Sequence, residues 1–152
     1  MPKSAILRFL PAAVVALGFA GQVCAERAGR YGIMAQSAWS AFQCSVLAEK
    51  SRNMAEQERL FAFGYDQGLK FIAALESGTA KKDDLSRAAP FSMLLLLQGP
   101  TPDFALGRIF EAALRSALED VFASAESYDS ARIQESIAAA EFLKRNCNLI
   151  GH

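Results

Sequence analysis

"RLFAFGYDQGLKFIAAL" (residues 59–75) has the apolar spacing of an amphipathic helix, although two glycines, Gly64 and Gly68, lie inside it. A glycine in a helix interior costs about 1 kcal/mol relative to alanine, so other contacts must compensate for both. A helical projection places both glycines on the apolar face, which carries Phe61, Tyr65, Ile72 and Leu75. The charged residues lie on the opposite face: Arg59, Asp66 and Lys70. We therefore predict that the two glycines let another helix approach closely, with a ligand that contacts the bare backbone as the alternative.

Helical spacing recurs along the rest of the chain, whereas strand-like alternation is almost absent. This pattern predicts one all-α domain over residues 26–152, a small bundle of about five helices. The predicted helices run from about Ile33 to Arg52, from about Ala55 to Ser77, within PFSMLLLLQGP (residues 90–100), from a Thr101 cap to about Ala125, and onward from about Ser130. The segment 90–100 is apolar on all sides, which predicts a central rod of the bundle, with a strand as the alternative.

The first and last predicted helices each carry one cysteine, Cys44 and Cys147. Cys44 lies at the flank of the first helix's apolar stripe, which comprises Ala35, Trp39, Phe42 and Val46. The predicted stripe of the last helix comprises Ile133, Ile137, Ala140, Leu143 and Cys147. A bond between the cysteines would close a loop of about 100 residues, worth about 4 to 5 kcal/mol in the chain-entropy model. We predict this disulfide, with two separate buried thiols as the alternative.

The second and fourth predicted helices share a short echo, FAFG (residues 61–64) and FALG (residues 104–107). A duplicated helix pair and a chance match in an alanine-rich chain both explain it. If the duplication is real, the two helices cross at their glycines, which makes Gly107 a third helix-packing position.

The N-terminus has the features of an export signal. Lys3 and Arg8 precede a 12-residue apolar run at 9–20, and VCA (residues 23–25) supplies small residues for a signal peptidase. We predict a signal peptide over residues 1–25, cleaved after Ala25, and a periplasmic or secreted product. Cleavage after Ala20 and a retained anchor are the alternatives. The apolar run is shorter than the roughly 20 residues of a membrane span, and we predict no transmembrane segment in the mature chain.

Charge and composition exclude several activities. Without Lys3 and Arg8, 14 basic and 16 acidic residues remain, so we expect no nucleic-acid partner. The sequence has no nucleotide-binding glycine loop, no clustered metal ligands and one histidine, His152, at its end. We therefore predict no catalytic residue, metal or cofactor. Carboxylates at Asp66, Glu111 and Glu119 are the candidates for a hydrolase, but Arg108 and Arg115 share the strip of Glu111 and Glu119, which favours a solvated face.

Three aromatic residues are candidates for a partner surface: Phe63, Phe142 and Trp39. Phe63 and Phe142 lie outside the apolar stripes of their helices, which a second packing layer also explains. Candidate contacts for a small apolar ligand are Tyr65, Met93 and Leu96. The leading hypothesis is a non-enzymatic exported protein that binds a protein of the cell envelope as an inhibitor, immunity factor, chaperone or assembly adaptor. A carrier of an apolar ligand and a carboxylate hydrolase are the alternatives.

Overall fold

The computed structural model describes residues 19–80, 85, 89–123 and 130–152, with side chains from residue 29 onward. Within these residues the protein is all-helical, with five α-helices and no strand. They are α1 (Phe19–Lys50), α2 (Met54–Glu76), α3 (Phe91–Leu95), α4 (Pro102–Ala123) and α5 (Ser130–Lys144), followed by a 3-10 turn at Cys147–Leu149. Residues 1–18, which hold most of the predicted export signal, lie outside the described part. None of the described helices combines the length and apolar character needed to cross a membrane.

Helices α1 and α2 form an antiparallel hairpin across residues 51–53. Arg52 turns the chain with a φ of 63°, in the left-handed region. Asn53 then caps α2, because its side-chain oxygen accepts a hydrogen bond from the Glu56 backbone N–H at 3.3 Å. Thr101 caps α4 in the same way, with its Oγ1 accepting from the Phe104 N–H at 3.2 Å.

The core consists of two clusters. The α3-side cluster contains side chains from α1, α2, α3 and the first half of α4. Its members include Phe42, Phe71, Met93 and Ile109. The disulfide-side cluster joins the last turns of α1 to α4 and α5, and it contains Leu47, Leu60, Val121 and Phe142. Within the disulfide-side cluster, the sulfur atoms of Cys44 and Cys147 lie at disulfide distance, 1.94 Å, with both residues buried.

Three predicted helices differ from the structure. Helix α1 already includes Phe19, the first described residue, instead of beginning near Ile33, because the glycines before Ile33 weaken a helix by about 1 kcal/mol each without ending it. The central rod is also wrong. Helix α3 spans only Phe91–Leu95 and lies at the edge of its cluster, with Met93 alone fully buried in it. The centre is already filled by the side chains of α1, α2 and α4.

The predicted stripe of the last helix holds only in part, because Ile137 packs half-buried against the disulfide-side cluster but the helix buries a different face more deeply. Its buried residues are Ala138 and Phe142, whereas Ala140 and Leu143 are exposed. Cys147 lies in the 3-10 turn beyond the helix, after Asn146 has adopted a φ of 53°. Since the chain changes direction there, the position of Cys147 does not fix which face of α5 is buried.

Candidate functional site

Helices α1, α2 and α4 come close together at the glycines of α2. A Cβ on Gly64 would lie 2.9 Å from Cδ1 of Phe42 and 3.2 Å from Cβ of Ala41, and a Cβ on Gly68 would overlap Cδ2 of Leu106. Bare backbone at these two positions leaves room for the Phe42 ring and the Leu106 side chain. Both are almost fully buried, and together they form the floor of a groove between α2 and α4.

Three aromatic rings, those of Phe61, Tyr65 and Phe110, surround this floor. Phe110 contacts Phe42 and Phe61 edge-to-face, with ring centroids 5.4 and 5.3 Å apart. Phe61 also stacks on Tyr65 at 6.2 Å. Aromatic pairs in these arrangements contribute about 0.5 to 1.5 kcal/mol each beyond the area that they bury. The rings therefore hold one another in place, although Phe61 remains 38% exposed.

We name this site the aromatic groove, comprising Phe42, Phe61, Tyr65, Leu106, Gly107 and Phe110. Its volume is about 190 Å³. An apolar protein cavity of about 150 Å³ is large enough for benzene, so the groove has room for one aromatic ring or one leucine side chain.

The rim of the aromatic groove carries one polar pair. The Tyr65 hydroxyl donates a hydrogen bond to Oδ1 of Asp103, in the first turn of α4. This bond to the carboxylate raises the pKa of Tyr65, since ionisation would remove the shared proton. The bond also links α2 to α4 across the groove. The groove is thus apolar inside and acidic at its edge.

Gly107 does not lie at a helix–helix contact, which is where the sequence predicts it. It is exposed on α4, and no described atom outside its own stretch of helix lies within 4 Å of the position of a Cβ, so its predicted role in helix packing is wrong. The neighbouring Leu106 faces Gly68 of α2 instead. The FAFG and FALG segments therefore do not cross at their glycines. At the edge of the aromatic groove, Gly107 leaves the groove open where any larger residue would narrow it.

The three predicted partner residues are scattered. Phe142 is only 8% exposed and belongs to the disulfide-side cluster, so its predicted place on a surface is wrong. Trp39 is half-buried against the α3-side cluster. Phe63 is half-buried beside Gly151, whose Cβ would lie 3.0 Å from Cδ2 of Phe63. A partner role for Phe63 or Trp39 stays a prediction.

The three predicted ligand contacts are also separated. Tyr65 lines the aromatic groove, whereas Met93 is fully buried in the α3-side cluster. Leu96 is half-buried and borders a shallow cleft of about 290 Å³ with Arg108, Glu111 and Arg115. The glycine backbone of α2 is covered by Phe42 and Leu106, so it offers a ligand no direct access.

A wider cleft, of about 660 Å³, lies beside the Cys44–Cys147 pair. Six of its eleven lining residues are polar: Gln36, Ser37, Ser40, Gln43, Arg145 and Asn146. One wall is the C-terminal segment, which Arg59 holds by donating a hydrogen bond to the Ile150 carbonyl oxygen at 2.6 Å. Arg59 also donates to Glu56, which lowers the pKa of that carboxyl below its ordinary value. Since Arg59 ties α2 to the end of the chain, its role here is structural.

The candidate hydrolase carboxylates lie on exposed helix faces. Asp66 pairs with Lys70 at 2.6 Å, and Glu111 pairs with Arg115 at 2.5 Å, each pair within one helix. Neither Asp66 nor Glu111 lines the aromatic groove. Across the described residues, no group of three potential metal ligands occurs, and no buried side-chain polar atom lacks a hydrogen-bond partner.

Sequence reasoning missed four groove residues, Phe42, Phe61, Leu106 and Phe110, which it assigned to helix stripes or left aside. The spacing of these residues did indicate shared helix faces. Phe61 and Tyr65 are four residues apart on α2, and Gly107 and Phe110 are three residues apart on α4. What the sequence did not indicate was that these two faces meet. That contact depends on Leu106 entering the space beside Gly68.

Comparison of the chain with protein-family models, curated proteins and solved structures finds no match.

Proposed function

We propose that this chain is an exported, non-enzymatic helical protein that binds a partner protein of the cell envelope through the aromatic groove. The observation that carries the proposal is the preformed apolar pocket at Gly107, which is walled by aromatic rings and open to solvent. Partly exposed aromatic residues around a small pocket are typical of interface hot spots, where one apolar side chain of the partner is buried.

The size of the aromatic groove favours a protein side chain over a free ligand. Pockets for small molecules usually measure about 300 to 1,000 Å³, which is more than the 190 Å³ found here. A side chain needs less room because the rest of its chain rests on the surrounding surface. A partner segment that inserts a leucine or phenylalanine fits this space, and a lipid or similar carrier ligand does not.

Export is supported by the N-terminal sequence and by the cysteine pair. A positive start, an apolar run at 9–20 and small residues before Glu26 are typical of a cleaved signal. Disulfides persist in oxidising compartments such as the bacterial periplasm. Both features favour a partner in the envelope or outside the cell.

Filling the groove tests the proposal directly. Gly107→Leu places a side chain where no atom lies within 4 Å of the Cβ position, so the variant should fold and its leucine should occupy the groove. Affinity capture from the envelope fraction of the native cell, using tagged exported protein as bait, should recover one stoichiometric partner with the wild type. Gly107→Leu should lose that partner.

Gly29→Leu is the matched control. Gly29 lies in α1, outside the aromatic groove, and among the side chains that the structure describes none lies within 4 Å of its Cβ position. This variant should retain the partner. Equal capture by both variants would exclude the groove as the binding site. Native mass spectrometry of the same preparation would reveal a bound small molecule, which would favour the carrier alternative.

A further inference from the structure

Helix α3 presents two large apolar side chains to solvent. Phe91 is 71% exposed and Leu95 is 57% exposed, while Met93 between them is buried in the core. Phe91 and Leu95 are four residues apart, so they share the outward face of the helix. Phe104, at the start of α4, is exposed as well. Single exposed apolar residues are ordinary, but several on neighbouring elements indicate a contact surface.

This surface lies at the end of the bundle from which α1 projects. Gly64 of α2 contacts Ala41 and Phe42 of α1, and the two helices are antiparallel. Glu76, which ends α2 twelve residues after Gly64, is therefore level with residues 29–30 of α1. Residues 19–28 extend α1 beyond that level by about 15 Å, at 1.5 Å per residue. Tyr31 and Met34 of α1 pack against the cluster that contains Met93, so α1 leaves the bundle on the α3 side.

The sequence at the N-terminal end of α1 indicates which structure the α3 end of the bundle faces. Residues 9–20 form the apolar run of the export signal, which enters the membrane during export. The chain therefore connects the α3 end of the bundle to the bilayer, and that end faces the membrane as the domain emerges. The same end carries the exposed apolar pair of α3.

We infer that the α3 end of the bundle docks on the bilayer surface, with Phe91 and Leu95 inserted at the boundary between headgroups and acyl chains. Apolar side chains on one face of a helix bind in this manner without spanning the membrane. Two inserted side chains give weak and reversible binding, which persists after the signal is removed because both lie within the folded domain. The inference rests on the proposed export of the chain, but it does not depend on the aromatic groove.

Vesicle co-sedimentation tests the inference. The sample is protein purified after export, with its N-terminus determined by mass spectrometry, so that binding through a retained signal is recognised. The probe is vesicles of phosphatidylethanolamine and phosphatidylglycerol. We expect the wild type to bind and the double variant Phe91→Ser, Leu95→Ser to bind at least about tenfold more weakly, since each side chain loses most of its burial.

The matched control is the double variant Leu143→Ser, Leu149→Ser. These leucines are as exposed as the α3 pair, at 68% and 65%, but they lie beside the disulfide-side cluster. The control should bind vesicles like the wild type. Equal binding of the two double variants, or no binding by the wild type, would overturn the inference. Circular dichroism verifies folding, and the single variant Leu95→Ser serves if the α3 double variant unfolds.

Discussion

Gly64 and Gly107 are both glycines inside a helix, yet they have opposite surroundings. Gly64 is buried, and an added Cβ would lie 2.9 Å from the ring of Phe42, closer than real Cβ contacts allow. Gly107 is exposed with open space around it. The helix-forming tendency of the two positions is the same, so their difference arises entirely from tertiary packing.

The substitution of each glycine by alanine should therefore change stability in opposite directions. Gly107→Ala should stabilise the protein by about 1 kcal/mol, the usual gain of alanine over glycine in a helix. Gly64→Ala gains the same amount but forces Phe42 to move, and such overpacking costs about 1 to 3 kcal/mol. We expect a net loss, measured as a lower midpoint in urea unfolding. A higher midpoint for Gly64→Ala would show that the α1–α2 contact is looser than described.

At the scale of the helix, a strong apolar periodicity predicted the helix correctly, whereas a weak one did not predict which face is buried. Helix α2 matches its predicted bounds and α4 its predicted start to within about two residues, because caps at Asn53 and Thr101 and long apolar stripes define them. The predicted end of α4, about Ala125, lies outside the described residues. Helix α5 has isoleucines and a leucine on one side and Phe142 on the other, so its sequence does not determine which face is buried. The aromatic groove was beyond prediction for a related reason, since it forms only where faces of α1, α2 and α4 meet.

The adjacent pair Phe142 and Leu143 tests the orientation of α5. Phe142 is buried in the disulfide-side cluster, and Leu143 is 68% exposed. We expect Phe142→Ala to lower the free energy of unfolding by about 3 to 5 kcal/mol. Leu143→Ala should change it by no more than about 0.5 kcal/mol, as surface substitutions do. Denaturant titration of both variants measures these free energies of unfolding. A larger decrease for Leu143→Ala than for Phe142→Ala would mean that α5 buries the face that carries Leu143, as its sequence predicts.

On the scale of the whole molecule, the two proposed surfaces and the cysteine pair lie in different places. The aromatic groove and the exposed pair of α3 belong to elements around the α3-side cluster. Cys44 and Cys147 belong to the disulfide-side cluster and join α1 to the turn after α5. The proposed binding surfaces are thereby separated from the cysteine pair, and removal of the cross-link should lower stability without altering the groove in molecules that remain folded.

The cross-link itself can be tested by counting thiols and measuring stability. Cys44 and Cys147 are 103 residues apart and both buried, so a bond between them restricts the unfolded chain strongly. Exported protein that is denatured without reductant should show no reactive thiol after cleavage at Ala25, or one if Cys24 is retained. Replacing both Cys44 and Cys147 by alanine should lower the free energy of unfolding by up to about 4 to 5 kcal/mol. Thiol labelling at Cys44 and Cys147 in the unreduced protein, together with unchanged stability of the double variant, would show that the pair is two separate thiols.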